Sequence, residues 1–180
     1  MSGQKTIETP RLLLKAITPG QKKEIFATKS KEEIKTIFNY TDTDYDRWVN
    51  NLDMGIETYA ISFMQFMVSD KHSGKIVGEC GFHTWNKKHR RAEAYYMLFD
   101  DSDKGQGIMS EAFPAILKYA FEELNIHRVA ALIAKDNTPS LKLLLKCGFK
   151  FEGTMREDYN VDGKNEDSEC YSLLKQEWKK

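Results

Sequence analysis

A short segment in the second half of the chain carries the residues best suited to chemistry. The strand-like run Met97-Leu98-Phe99 is followed by an acidic, polar loop and then by Lys104-Gly105-Gln106-Gly107-Ile108-Met109-Ser110, which opens directly into an amphipathic helix. Glycines let backbone N–H groups converge on an anion, and the positive end of the helix dipole favours negative charge at the same point. This order of strand, loop and helix start predicts a site for a pyrophosphate group.

The loop differs from the two common nucleotide-binding motifs. It lacks the Gly-Lys-Ser/Thr ending of a Walker loop, and its G-x-G lacks the third glycine of the dinucleotide fingerprint. The triplet Gly105-Gln106-Gly107 also fits an ordinary turn between a strand and a helix, so it does not assign a function by itself.

Composition narrows the class of protein. The chain has 180 residues, with 27 Lys plus Arg and 27 Asp plus Glu. This length fits a single domain over residues 1–180. The balanced charge argues against a dedicated nucleic-acid binder, and no apolar stretch is long enough to span a membrane. The basic run at residues 87–91 is typical of a solvated loop between strands.

Cysteine and histidine placement predicts no metal site. Cys80, Cys147 and Cys170 show no C-x-x-C or zinc spacing, and the four histidines are scattered singly. The polar start of the chain has no signal-peptide pattern, which with reduced thiols favours the cytoplasm.

Capping residues and periodicity predict the elements of the first two thirds of the chain. Residues 11–17 form a strand, and helices begin at Thr18-Pro19, at the capping box of Ser30 and Glu33, and at Thr41 or Thr43. Three runs rich in β-branched and aromatic residues follow, at residues 59–68, 75–82 and 92–99. They predict an antiparallel meander, with a turn at His72-Ser73-Gly74.

The remaining elements predict a β-helix-β-helix unit followed by two strands. Apolar spacing from Phe113 to Leu124 predicts the strongest helix, in which Pro114 removes one backbone bond unless it lies in the first turn. Residues 129–134 predict a strand buried on both faces. Thr138-Pro139 caps another helix, which ends at Gly148. The last strands, at residues 149–156 and 170–174, flank a loop with the turn Asp162-Gly163.

The expected fold class is therefore α/β (α+β). We expect a mixed, mostly antiparallel central sheet of about seven strands flanked by helices in one domain.

Several short motifs, in order and over nearly the whole chain, match one family. They are Thr9-Pro10-Arg11-Leu12-Leu13-Leu14, Ile76-Val77-Gly78 with Gly81-Phe82-His83, Ala92-Glu93 with Tyr96, Gly105-Gln106-Gly107, Ser110-Glu111-Ala112, Tyr119-Ala120-Phe121, His127-Arg128-Val129, Asn137 with Ser140, Lys146-Cys147-Gly148-Phe149, Glu152-Gly153 with Arg156, and Ser172-Leu173-Leu174. In these features the chain resembles the GNAT superfamily of N-acetyltransferases, in particular the Rim-type branch that contains ribosomal-protein alanine acetyltransferases.

The resemblance implies an acetyl-CoA site. The strand matching residues 92–99 would splay from the strand matching 129–134, and the acyl-pantetheine would lie in the gap beside backbone groups near Met97, Leu98 and Phe99. The pyrophosphate would bind the N–H groups of residues 104–110. Asn137 and Ser140 would reach the pantetheine from the next helix. Alternatively, Asn137 bonds its own backbone and Ser140 is an ordinary first-turn residue.

Three residues depart from the family pattern. Lys104 replaces the usual glutamine or arginine and keeps a cation without the fork geometry, and Met109 replaces a small residue. Leu144 stands where many relatives have a tyrosine that acts as general acid. Since leucine cannot protonate a thiolate, Ser140 or water is expected to take that role.

The implied reaction is direct attack of a primary amine on the thioester of acetyl-CoA. The amine must first lose a proton, and Glu93, acting through water, is the first candidate for this base. Glu79 is the second, although either carboxylate could instead lie at the surface or in an ion pair. A backbone N–H near Leu98 is expected to stabilise the oxyanion. Tyr96 and Trp85 are candidates for the lining of the acceptor pocket.

The acceptor stays open at this point. The branch resemblance favours the α-amine of a protein N-terminus over a small-molecule amine such as a polyamine, an amino acid or an antibiotic. A non-catalytic module that binds acyl-CoA is a third reading, and the monomer and a homodimer both remain open.

Overall fold

The computed structural model of the chain describes residues 4–58 and 60–179, and it contains one mixed sheet of eight strands. The strands lie in the order β1-β2-β3-β4-β5-β6-β8-β7. Their bounds are β1 Thr6–Glu8, β2 Leu12–Ile17, β3 Ile61–Asp70, β4 Ile76–Asn86, β5 Arg91–Leu98, β6 Arg128–Ala134, β7 Lys150–Val161 and β8 Lys164–Leu174. Five α-helices accompany them: α1 Pro19–Thr28, α2 Lys31–Phe38, α3 Asp42–Met54, α4 Ile108–Glu122 and α5 Thr138–Lys146. The predicted fold class is confirmed.

The first three helices begin where their capping residues predicted. Thr18, Ser30 and Thr41 each accept a hydrogen bond from the backbone N–H three residues further on, and the side chain at that position bonds back to the cap. These reciprocal bonds satisfy N–H groups that a helix start leaves without partners.

The meander of β3, β4 and β5 is antiparallel, as predicted. Its first predicted residue, Tyr59, lies outside the described residues. Phe66, Cys80 and Tyr96 lie opposite one another in register and share the face that packs on α4. Met67 and Glu79 point to the other face, where α1 to α3 form a second apolar cluster with Met67. The sheet thus separates two layers of helices.

Helix α4 starts earlier than its proline suggested. It begins at Ile108, so Pro114 lies in the second turn and leaves the carbonyl of Ser110 without its usual helical partner. The buried stripe that includes Phe113, Ile116 and Leu117 outweighs this loss, since each of these side chains is fully buried against the sheet.

Strand β6 differs from its prediction. Its burial alternates along the strand, with Val129, Ala131 and Ile133 buried and Ala130 and Leu132 only half-buried. The predicted burial on both faces was wrong, because the core that includes α4 and α5 covers one face of this strand and the other face borders a cavity.

Three further differences concern element ends. The N-cap of α5 is Asn137, not Thr138, and Thr138 is the first helical residue. Strands β7 and β8 form one long hairpin that replaces the predicted loop around Asp162-Gly163. The short edge strand β1 was not predicted. Strand β1, the second half of β7 and the first half of β8 are mostly exposed, so no buried apolar face marks these residues as strand.

Candidate active site

The glycine loop has the geometry of an anion site. Gly105 and Gly107 both adopt φ of 74°, in the left-handed region that favours glycine. Gly107 is the N-cap of α4 and has no side chain to cap the helix. By helix geometry the N–H groups of Ile108, Met109 and Ser110 have no partner inside α4, so they are free to bind an anion.

An ion pair with the start of the chain holds this loop in place. The guanidinium of Arg11 donates to the Glu111 carboxylate at 2.7 Å and to the Gln106 carbonyl at 3.1 Å. Thr9 donates its hydroxyl to the same carboxylate at 2.5 Å. The sequence motifs contained these residues, but their contact, which joins distant parts of the chain, was not predicted. It pairs the one acidic side chain in the first turn of α4 with a cation.

A cavity of about 570 Å³ adjoins the loop. The predicted residues that line it are Met97, Leu98, Lys104, Gly105, Gly107, Ile108, Met109, Ser110, Asn137 and Ser140. Tyr96, Asp103, Pro139 and Leu143 line it as well and were not predicted to do so. The ammonium of Lys104, proposed as the loop's cation, pairs with Asp101.

The side chains of two predicted binding residues lie outside this cavity. Phe99 lies outside this cavity and packs against the cluster formed by α1 to α3. The side chain of Gln106 is also outside the lining and donates to the Ser102 carbonyl at 2.7 Å. The resemblance implied contacts through the backbone of these two residues, and a local hydrogen bond holds the Gln106 side chain away from the cavity.

Strands β5 and β6 diverge as the resemblance implied. They are the one parallel pair among the described strands, and their register covers only Arg91 to Glu93 against Arg128 to Ala130. Beyond Glu93 the edge of β5 facing β6 has no strand partner. The N–H of Phe99 donates to the Val77 carbonyl at 3.1 Å, so by alternation the backbone groups of Tyr96 and Leu98 face the gap, rather than those of Met97 and Phe99.

A second cavity of about 180 Å³ passes through this gap. Residues from both faces of the sheet line it: His83, Glu93, Ala94, Tyr95, Tyr96, Ala131, Leu132, Ile133, Asn137, Ser140 and Tyr159. Tyr96, Asn137 and Ser140 also line the larger cavity. The two cavities therefore adjoin at these three residues.

Glu93 is the carboxylate of the smaller cavity. Its Oε1 lies 3.5 Å from Nε2 of His83, a neighbour that was not predicted. Burial raises the pKa of Glu93, His83 opposes that rise, and the negative charge of Asp158 adds to it. A carboxylate with a raised pKa is a better proton acceptor than an exposed one.

The other proposed residues have structural surroundings. The Glu79 carboxylate accepts from Gln65 at 2.5 Å and lies in a buried network with Lys22, and Glu79 lines neither cavity. Trp85 is buried in the main core, so it does not line the smaller cavity as proposed. Leu144 is fully buried.

Asn137 caps α5. Its Oδ1 accepts from the Ser140 N–H at 3.2 Å, which is the local bond that the sequence left as an alternative. Because its side chain also borders both cavities, the cap holds the amide at their junction.

No group of three or more His, Cys, Asp or Glu side chains within residues 4–58 and 60–179 is placed to hold a metal ion. In the same residues, no helix is long and apolar enough to cross a membrane.

Comparison with known proteins agrees with this geometry. Residues 11–150 match the family model described as an acetyltransferase (GNAT) domain. The chain is 30% identical to p20 of Bacillus licheniformis, an uncharacterised N-acetyltransferase, over 96% of this chain and 98% of p20. It is 36% identical over 59% of its length to 58% of YdaF from Bacillus subtilis, a candidate ribosomal N-acetyltransferase.

A solved structure extends the comparison to the fold. The spermidine N-acetyltransferase of Vibrio cholerae, in complex with CoA and spermine, superposes with a TM-score of 0.68 at 22% identity, over 94% of this chain and 98% of that one. With the family model and p20, these matches show that the chain belongs to the GNAT superfamily and is an N-acetyltransferase.

Proposed function

We propose that the chain transfers an acetyl group from acetyl-CoA to the α-amine of a protein N-terminus. One observation carries the proposal: a cavity beside the anion loop meets a second cavity that contains Glu93. The free N–H groups of α4 fit a pyrophosphate, and the larger cavity fits the pantetheine arm. The amine would enter through the smaller cavity.

Proton removal explains the place of Glu93. A primary amine attacks a thioester only when it is neutral, and Glu93 would take its proton through water. The pKa of an N-terminal α-amine is about 8, so this amine needs less help from a base than an alkyl amine, whose pKa is about 10. The N–H of Leu98, which faces the gap, would stabilise the oxyanion.

A small polyamine is the second candidate acceptor. The solved relative from Vibrio cholerae holds spermine, and the carboxylate of Glu93 lines the smaller cavity of this chain. Besides Glu93, the negative charge of Asp158 acts at this site, and its Oδ2 is buried without a hydrogen-bond partner in the described part of the chain. The similarity to YdaF, a candidate ribosomal N-acetyltransferase, instead favours a protein acceptor.

An acceptor panel tests the proposal. Short peptides with free N-termini, the same peptides with blocked N-termini, spermidine and spermine would be compared by the free thiol released from acetyl-CoA. We expect the free-N-terminus peptides to react fastest and their blocked forms not to react. Activity with the polyamines alone would favour the second candidate. Acetyl-CoA binding without thiol release for any amine would contradict transfer altogether.

A further inference from the structure

The residue that protonates the leaving group must reach the point where the two cavities meet. Tyr96, Asn137 and Ser140 line both cavities. The Asn137 oxygen is engaged in the α5 cap, and an amide is a poor proton donor to sulfur. This leaves two hydroxyl groups, on Tyr96 and Ser140, at the junction.

The Tyr96 hydroxyl is placed across the gap and is weakly held. Its ring packs edge-on against Phe113, with centroids 4.9 Å apart, which directs the side chain from β5 toward the start of α5. Its Oη lies 3.5 Å from the carbonyl oxygen of Ser140, at the long limit of a hydrogen bond. That carbonyl is inside α5, where the helix supplies its own donor. The phenolic hydrogen is therefore available to a closer acceptor.

We propose that Tyr96 donates this hydrogen to the sulfur of coenzyme A as the thiolate leaves. The inference rests on the proposed function. When the carbon–sulfur bond breaks, its electron pair stays on sulfur, the Tyr96 hydroxyl gives sulfur a proton, and water returns a proton to the phenolate. Position 144 cannot serve, because Leu144 is apolar and fully buried.

Partial burial keeps the Tyr96 hydroxyl protonated and so able to donate a hydrogen bond to the thiolate, although the same burial makes the phenol a weaker acid. It raises the pKa of Tyr96 above its usual range, and the contact with Ser140 only partly opposes this. The group thus carries its proton at every pH at which the enzyme would work. A free thiol has a pKa of about 8.5, so its thiolate is already a good leaving group and a strong hydrogen bond is sufficient to assist its departure.

Ligand binding separates a bond to sulfur from simple packing. The affinities of coenzyme A and of desulfo-coenzyme A, which lacks the sulfur, would be measured from about pH 7 to about pH 10 for the parent and Tyr96→Phe. The thiol of coenzyme A loses its proton as the pH rises through about 8.5. We therefore expect the affinity of the parent for coenzyme A to rise over this range, and its affinity for the desulfo form to stay the same. In Tyr96→Phe this rise in affinity should be smaller by about fivefold or more, equivalent to about 1 kcal/mol. The variant should bind desulfo-coenzyme A as tightly as the parent does.

Kinetics complete the test. Tyr96→Phe should lower kcat by roughly tenfold or more with little change in the KM for acetyl-CoA. Tyr119→Phe removes a hydroxyl from α4 outside both cavities and serves as the control. Equal losses for both ligands, or an unchanged preference for the thiolate in Tyr96→Phe, would overturn the proposal, and so would a larger kcat loss in Ser140→Ala. A parent that shows the thiolate preference but transfers no acetyl group would refute the proposed function alone.

Discussion

Two opposing effects set the pKa of Glu93. It is half-buried beside the gap, where loss of water favours its protonated form, yet His83 lies 3.5 Å away and partly restores the anion. The pKa of Glu93 is raised on balance, so the carboxylate becomes protonated at a higher pH than an ordinary glutamate does. Because the protonated form cannot act as a base, we expect the transfer rate to fall as the pH is lowered through that raised pKa.

Replacing the Glu93 carboxylate should affect catalysis more than binding. Glu93→Gln should keep its affinity for acetyl-CoA and lower kcat by roughly 10²-fold at neutral pH. At higher pH the amine is already neutral in solution, so part of the rate should return. Rates measured across the pH range with one peptide acceptor would show this.

Glu79→Gln is the matched control, because it removes a buried carboxylate that lines neither cavity. It should lower stability more than kcat. Full activity of Glu93→Gln at every pH would show that Glu93 is not the base, and a loss of stability with an unchanged pH profile would indicate only an ion pair.

The conformation of Gly107 gives a second test at this scale. A valine at φ 74° is strained, and its side chain would stand next to the N–H groups that we propose bind the pyrophosphate. Gly107→Val should weaken coenzyme A binding by at least about tenfold, or about 1.4 kcal/mol, in a calorimetric titration.

Gly163→Val provides the control, since this glycine has φ 85° in the distant hairpin turn. It should cost stability without changing the affinity. Equal affinities of the Gly107→Val variant and the parent would reduce the glycine loop to a turn.

Among the elements, α1 carries a feature that its sequence did not reveal. Lys22 is fully buried, and its ammonium donates to Tyr40 Oη at 2.7 Å and to Gln65 Oε1 at 2.9 Å. The rings of Phe38 and Trp48 lie 3.7 Å and 4.0 Å from it. These cation–π contacts, which join α1 to α2 and α3, compensate part of the cost of burying the charge.

Because Lys22 is buried, the free energy of unfolding should change with pH in the alkaline range. Desolvation lowers the pKa of Lys22 to about 7, while Glu79 opposes the shift. Between about pH 7 and the ordinary lysine value of 10.5, the unfolded chain therefore holds more protons, and stability rises with pH. Lys22→Met should remove about 1 kcal/mol or more of that rise, as measured by denaturant unfolding at several pH values.

Lys23→Met, one residue along the same helix and exposed, is the control and should leave the pH dependence unchanged. Parallel stability curves for the parent and Lys22→Met would mean that the lysine titrates normally.

The elements also show what local sequence could and could not predict. Capping boxes act over three residues, so the starts of α1, α2 and α3 were readable. The family motifs predicted the glycine loop and the divergence of β5 from β6. The contacts of Lys22, and of Arg11 with Glu111, depend on residues far apart in the chain, and no local pattern encodes them. Strand β7 was predicted only as far as residue 156, and its extension to Val161 was missed because these last residues are mostly exposed.

Across the whole molecule, the sheet relates the parts of the site. The gap between β5 and β6 connects the helix layer of α4 and α5 to the opposite face, where Glu93 and His83 lie. The Arg11–Glu111 ion pair ties the turn between β1 and β2 to the start of α4, at one end of this passage. In the proposed function, the donor and the acceptor would approach from different sides and meet at Tyr96, Asn137 and Ser140.

The central claim is that acetyl transfer requires both ends of this passage. The most direct measurement is the rate of free-thiol release from acetyl-CoA by the parent, Gly107→Val and Glu93→Gln, with and without a peptide that has a free N-terminus. We predict amine-dependent release by the parent, recovery at high acetyl-CoA for Gly107→Val, and a persistent defect for Glu93→Gln at neutral pH. Release that does not depend on an amine, or that neither substitution changes, would contradict the account.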